Sequence, residues 1–76
     1  MNNSILKDLG KRIRKIRAEK NLSQFDLADL CGIEKANLSR LESGKSNPTI
    51  VTLLRISDVL KVSMIDFFKQ DQVAEK

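Results

Sequence analysis

The stretch SQFDLADLCGIEKANLSRLESG, residues 23–44, contains two short amphipathic runs that are separated by a single glycine, Gly32. In the first run, the apolar residues Leu27 and Cys31 are one helical turn apart, so they share one face of a helix. Ala28, beside them, is small enough to let a second helix cross closely. Gly32 suits the left-handed backbone that often ends a helix. The pattern predicts two short helices joined by a tight turn.

The second run, residues 34–43, has an apolar side and a polar side. Leu38 and Leu41, together with Ile33 just before the run, are expected to face the inside. The opposite side carries small, amide and basic residues: Lys35, Ala36, Asn37 and Arg40. In a helix-turn-helix the second helix is held outward to enter the major groove of DNA. The order of residue types favours this motif over an ordinary helical hairpin.

Three further helices are predicted around this pair, and no segment shows the strict alternation of a strand. The first covers about residues 5–20, with an apolar stripe on one side and basic residues on the other. The fourth covers about residues 49–60. The fifth covers about residues 63–69 and begins on Ser63, with Asp66 in the capping-box position. The expected fold class is all-α with five helices.

The composition excludes several classes of function. The 76 residues include one cysteine, Cys31, and no histidine. A disulfide, a Cys/His zinc site and a histidine-based catalytic arrangement are therefore excluded within the chain. The residues MNNSILKDLG lack the apolar core of a signal peptide, and no apolar run approaches the ~20 residues needed to span a membrane. We expect a cytoplasmic protein that is not an enzyme and has no cofactor, no metal, no membrane association and no small-molecule ligand.

The positive charge is concentrated near the N-terminus. The chain carries a net charge of +4, and residues 1–20 hold seven Lys/Arg against Asp8 and Glu19, a local net charge of +5. Such asymmetry fits a polyanionic partner, although exposed helices are often basic simply for solubility.

Three blocks of sequence make the chain resemble the phage-repressor and Cro-type helix-turn-helix family, often called the XRE family. These blocks are GKRIRKIRAEKNLSQFDLA, LSRLESGKSNPT and TLLRISDVLKVSMIDFF, in that order. The resemblance covers about residues 9–68 and implies a lambda-repressor-like DNA-binding domain. We expect this domain over residues 1–69, with the helix-turn-helix at about 24–43 and a dimerisation end at about 56–69. Residues 70–76 are predicted to form a frayed tail.

The resemblance also implies roles for individual residues. The residues expected to read base edges are Lys35, Ala36, Asn37 and Arg40. The residues expected to contact the DNA backbone are Ser23, Gln24, Ser39, Lys45, Ser46 and Asn47. Arg17 and Glu42 match a pair that forms a salt bridge between the first and third helices. The chemistry agrees, because arginine can bind guanine O6 and N7 and asparagine can bridge adenine N6 and N7.

A dimer is expected because one recognition helix reads only a few base pairs and therefore selects poorly. Two-fold dimers place two recognition helices about one turn of DNA apart, ~34 Å. Surplus apolar residues near the C-terminal end indicate the contact surface. The residues expected at this interface are Ile56, Val59, Ile65 and Phe68.

The family's smallest members include Cro-like phage repressors, controller proteins of restriction–modification systems and single-domain antitoxins. The residues and the resemblance favour a sequence-specific regulator of transcription, a dimer that binds a pseudo-palindromic site on double-stranded DNA through the major groove. Whether that site controls its own gene stays open. The sequence does not separate an activator from a repressor. Two alternatives stay open: an antitoxin that neutralises a partner toxin and represses its own operon, and a helix-turn-helix used only for protein interaction.

Overall fold

The structure is a computed structural model that describes residues 3–69. Within this range the chain forms four α-helices and one 3₁₀ helix, with no strand. They are α1 (Asn3–Glu19), α2 (Gln24–Cys31), α3 (Lys35–Glu42), α4 (Ile50–Leu60) and the 3₁₀ helix Met64–Phe68. The predicted all-α class is confirmed. The predicted tail at 70–76 lies outside the described residues.

Local signals in the sequence set the helix ends. The Ser23 hydroxyl accepts a hydrogen bond from the Asp26 N–H at 2.9 Å, and the Asp26 carboxylate accepts one from the Ser23 N–H at 3.2 Å. This capping box begins α2. Gly32 ends α2 with a left-handed φ of 71°, as the sequence predicts. The N-terminus of α3 lacks a side-chain cap, because the Glu34 side chain at the N-cap position makes no capping hydrogen bond.

A single apolar core joins all five elements. Its buried residues are Leu9, Ile13, Ile16, Leu27, Ala28, Cys31, Leu38, Leu41, Leu53, Ile56, Leu60 and Phe67. Half-buried side chains such as Ile33 and Val62 pack against it. The helix-turn-helix is thus one wall of a small helical domain, and the other helices hold it in place.

The last element differs from the prediction, because it is a 3₁₀ helix of five residues and not an α-helix over 63–69. Residues three apart share a face in a 3₁₀ helix. Phe67 therefore lies on the same side as Met64 and enters the core with only 2% of its surface exposed. Ile65 and Phe68 share the outer side, and they are 67% and 54% exposed.

The structure also corrects the predicted role of Ile56 on α4. Ile56, which the sequence placed at the dimer interface, is fully buried. It lies three residues after Leu53 and four before Leu60, so all three belong to the face that packs into the core. Leu54 is exposed instead. Ile56 is therefore not available to a partner, and this part of the predicted interface is wrong.

Candidate nucleic-acid interface

A short turn fixes the direction in which α3 leaves α2. Gly32 supplies the left-handed backbone, and the N–H of Ile33 donates to the carbonyl oxygen of Ala28 at 3.0 Å. The Ile33 side chain packs against the core. Because both the backbone and the side chain of the turn are held, α3 has one orientation relative to α2.

α3 has one buried side and one exposed side. Leu38 and Leu41 are buried in the core, and the carboxylate residue Glu42 is buried beside them. All four residues predicted to read bases are exposed: Lys35, Ala36, Asn37 and Arg40. We refer to these four as the outer face of α3. Ser39, predicted to contact the DNA backbone, is half-buried at its edge.

Two residues of the outer face are joined to each other. The Arg40 guanidinium donates a hydrogen bond to the side-chain oxygen of Asn37. Residues three apart on a helix are neighbours on its surface, which permits this contact. The bond leaves the Asn37 amide hydrogens and the remaining guanidinium N–H groups as donors. Donors of this kind match the acceptor atoms on the major-groove edges of guanine and adenine.

The buried carboxylate of Glu42, at the end of α3, connects this helix to α1 and α2. Arg17 on α1 donates to it twice, from Nε to Oε2 at 2.7 Å and from Nη2 to Oε1 at 2.9 Å. Gln24 on α2 donates to the same Oε1 from its amide nitrogen at 2.9 Å. One carboxylate at the end of α3 therefore connects α1, α2 and α3. The salt bridge that the sequence predicts between Arg17 and Glu42 is present.

Arg17 is itself held in place by a further bond. Its Nη1 donates to the carbonyl oxygen of Leu22 at 2.8 Å. The hydrogen bond to Glu42 raises the pKa of the Arg17 guanidinium, so this side chain remains charged. Bidentate pairs of this kind combine strength with fixed geometry. Gln24 is half-buried and donates to the same carboxylate. A residue predicted to contact the DNA backbone therefore also connects two helices of the protein.

The loop after α3 carries the other residues predicted to contact the DNA backbone. Lys45 and Asn47 are exposed, and Ser46 is half-buried. The backbone N–H of Lys45 donates to the carbonyl oxygen of Arg40 at 2.9 Å, which ties this loop to the last turn of α3. Ser23, the remaining predicted contact, is exposed at the start of α2.

Two residues of α1 that sequence reasoning missed help to position the site. A Cβ at Gly10 would lie 2.5 Å from the carbonyl oxygen of Leu41 and 2.6 Å from that of Glu42, so only glycine allows α1 to cross α3 here. Arg12 Nε donates to the carbonyl oxygen of Asp66 at 2.9 Å, which fastens the 3₁₀ helix to α1. A glycine inside an amphipathic helical pattern was the available signal for the first contact. No sequence pattern indicated the second contact, between Arg12 and the Asp66 carbonyl oxygen.

The described part of the chain offers no alternative site with metal-ligand chemistry. Among residues 3–69, no group of three His, Cys, Asp or Glu side chains could hold a metal ion. The free thiol of Cys31 is buried, and this burial raises its pKa. Of the helices formed by these residues, none is long and apolar enough to cross a membrane.

The comparison with protein families identifies the class of fold. Residues 13–67 match the helix-turn-helix family HTH_3. This match spans the second half of α1, the capped α2, the glycine turn, α3, α4 and most of the 3₁₀ helix. The chain belongs to this helix-turn-helix family.

Individual relatives agree with this assignment. The prophage-derived, uncharacterised transcriptional regulator YonR from Bacillus subtilis is 39% identical over 54 residues, which are 71% of this chain and 50% of YonR. The chain thus spans about half the length of that relative. The restriction–modification controller protein C.AhdI from Aeromonas hydrophila superposes with a TM-score of 0.84 at 31% identity, over 86% of this chain and 98% of C.AhdI.

A second similar structure contains DNA. The biofilm master regulator SinR, solved in complex with DNA, superposes with a TM-score of 0.75 at 37% identity, over 80% of this chain and 98% of that SinR chain.

Proposed function

We propose that this protein is a sequence-specific double-stranded DNA-binding regulator of transcription that acts in the cytoplasm and is not an enzyme. The proposal rests mainly on the outer face of α3, where Lys35, Asn37 and Arg40 are exposed to solvent. The end of α3 is bonded to α1 and α2 through the buried Glu42 carboxylate. A rigid helix with exposed donors is what the reading of base edges requires. The similarity to the DNA-bound SinR domain supports this function.

In this proposal the residues divide into two roles. Arg40 and Asn37 bind base edges as a joined unit, Lys35 binds a base or a neighbouring phosphate, and the Ala36 methyl group permits close approach. The proposed contacts to the DNA backbone are Ser23, Gln24, Ser39, Lys45, Ser46 and Asn47. Backbone contacts fix the register of the protein on the duplex, whereas base contacts supply the sequence preference.

We also propose that the protein acts as a two-fold homodimer on a pseudo-palindromic site. The proposed interface contains the exposed Ile65 and Phe68 and the half-buried Val59, which also packs against the core, without the fully buried Ile56. Support comes from the 3₁₀ helix, where Ile65 and Phe68 are 67% and 54% exposed on one side. A pair of exposed large apolar side chains at one end of a small domain is typical of an interface.

Binding to DNA from upstream of the protein's own gene tests the function. Fluorescence anisotropy would compare this duplex with a shuffled duplex at one fixed salt concentration. We expect binding to the native duplex to be at least ~10³-fold tighter, as for other specific regulators. Weak and equal binding to both duplexes would contradict an autoregulatory role. It would favour the neutralisation of a partner toxin as the main activity, for which a pull-down of that toxin is the next step.

A further inference from the structure

An open groove lies between the first turns of α1 and the loop that follows α3. Leu6 and Lys7 line one side of it, and residues 43–47 line the other. Lys7 belongs to α1 and therefore lies outside the helix-turn-helix itself. Lys7 therefore lines the same groove as Lys45, which is one of the proposed DNA-backbone contacts.

Close packing makes the groove a fixed feature. A Cβ at Gly44 would lie 2.7 Å from the Lys7 Cα, and Gly44 has a left-handed φ of 75°. Glycine is therefore required at this point for two reasons, which are close approach and backbone conformation. One turn further along α1, Gly10 makes the same kind of contact with the end of α3. These two contacts hold Lys7 at a set position beside the loop.

The chemistry of the groove suits an anion. The side chains of Lys7 and Lys45 are exposed, and none of the residues that line the groove is a carboxylate. Ser46 and Asn47 add neutral hydrogen-bond donors. The Ser43 hydroxyl already donates to the carbonyl oxygen of Ser39 at 2.8 Å, so it contributes less.

The groove is open and not enclosed, which suits a phosphate carried on a chain. It is also joined to the outer face of α3, since the Lys45 N–H donates to the Arg40 carbonyl oxygen. We propose that Lys7, together with Lys45, binds a backbone phosphate of the same DNA duplex whose bases α3 reads. This inference rests on the proposed DNA-binding function and extends the contact surface to α1.

The dependence of DNA affinity on salt concentration tests the role of Lys7. Each phosphate that a protein neutralises on B-DNA contributes about 0.9 to the slope of log Kobs against log[salt]. We expect Lys7→Ala to reduce the magnitude of this slope by about 0.9 per protomer, equally on the operator and on a shuffled duplex. Lys7→Arg should keep the wild-type slope, because it retains the charge.

Lys11→Ala is the matched control. Lys11 is exposed on the same helix one turn later, and it does not line the groove. We expect this variant to keep the wild-type slope. An unchanged slope in Lys7→Ala would overturn the proposal. Equal reductions in Lys7→Ala and Lys11→Ala would also overturn it, since they would indicate a general effect of charge on α1.

Two further observations separate this proposal from a site for free phosphate and from a failure of the proposed DNA-binding function. Inorganic phosphate, added at constant ionic strength and followed through the backbone amide resonances of Lys7 and Lys45, distinguishes a DNA phosphate from free phosphate. Shifts at those residues together with an unchanged salt slope would overturn the DNA assignment in favour of a site for free phosphate, whereas a reduced slope supports the DNA assignment with or without such shifts. Failure of the wild-type protein to bind either duplex would contradict the proposed function itself, whereas wild-type binding with an unchanged Lys7→Ala slope contradicts only this inference.

Discussion

At the scale of single residues, Glu42 illustrates how a buried charge positions an exposed surface. Its side chain is only 3% exposed, and it accepts hydrogen bonds from Arg17 and Gln24. A carboxylate close to a DNA-binding surface would repel phosphates if it were unpaired. Pairing it with an arginine of α1 removes this repulsion and fixes the end of α3.

Arg17→Ala should destabilise the fold by about 3 kcal/mol, because it leaves the buried Glu42 carboxylate without its cation. The urea unfolding midpoint measures this loss. Arg14→Ala is the control, since Arg14 is exposed on the same helix and should change stability by less than about 0.5 kcal/mol. A loss in Arg17→Ala no larger than in the control would contradict the structural role of the pair.

Some residue-level features were predictable from the sequence and others were not. The exposure of Lys35, Ala36, Asn37 and Arg40 follows from helical periodicity alone. The hydrogen bond between Asn37 and Arg40 depends on side-chain rotamers, which no sequence pattern specifies. The second bond to Glu42, from Gln24, depends in the same way on how α2 and α3 are placed.

At the scale of elements, capping residues made the helix-turn-helix predictable, whereas the C-terminal segment was ambiguous. Ser23, Gly32 and Ser63 each mark a boundary that the structure reproduces. The apolar residues at 64, 65, 67 and 68 fit either an α-helix or a 3₁₀ helix. The face of α4 was also misjudged, because apolar residues surround most of that helix and periodicity does not select Ile56 over Leu54.

The dimer is best tested on the 3₁₀ helix. We expect sedimentation equilibrium to show a wild-type dimer at micromolar concentrations and a monomer for the variant Ile65→Asp/Phe68→Asp. Both side chains are exposed, so the variant should still fold. Phe25→Asp is the control, because Phe25 is an equally exposed apolar residue on α2 and should leave the dimer intact. A monomeric wild-type protein would rule out the proposed interface.

At the scale of the whole molecule, α1 is the part whose role was least visible in the sequence. Its basic side could be ascribed to solubility or to DNA binding from composition alone. The structure places Gly10 against the end of α3 and Lys7 against the following loop. Contacts between residues more than thirty positions apart depend on the packing of the complete fold, which local patterns do not encode. We therefore include α1 in the proposed DNA-binding surface.

We propose that the outer face of α3 reads base sequence. Selection of bound duplexes from a random-sequence pool, with the wild-type protein and with Arg40→Ala, tests this proposal. The wild-type protein should enrich an inverted repeat whose half-sites lie about one helical turn apart, ~34 Å. Arg40→Ala should keep that spacing and lose about 1–3 kcal/mol of preference at one position in each half-site. Enrichment of no motif by the wild-type protein, or of the same motif at the same strength by both proteins, would contradict the claim.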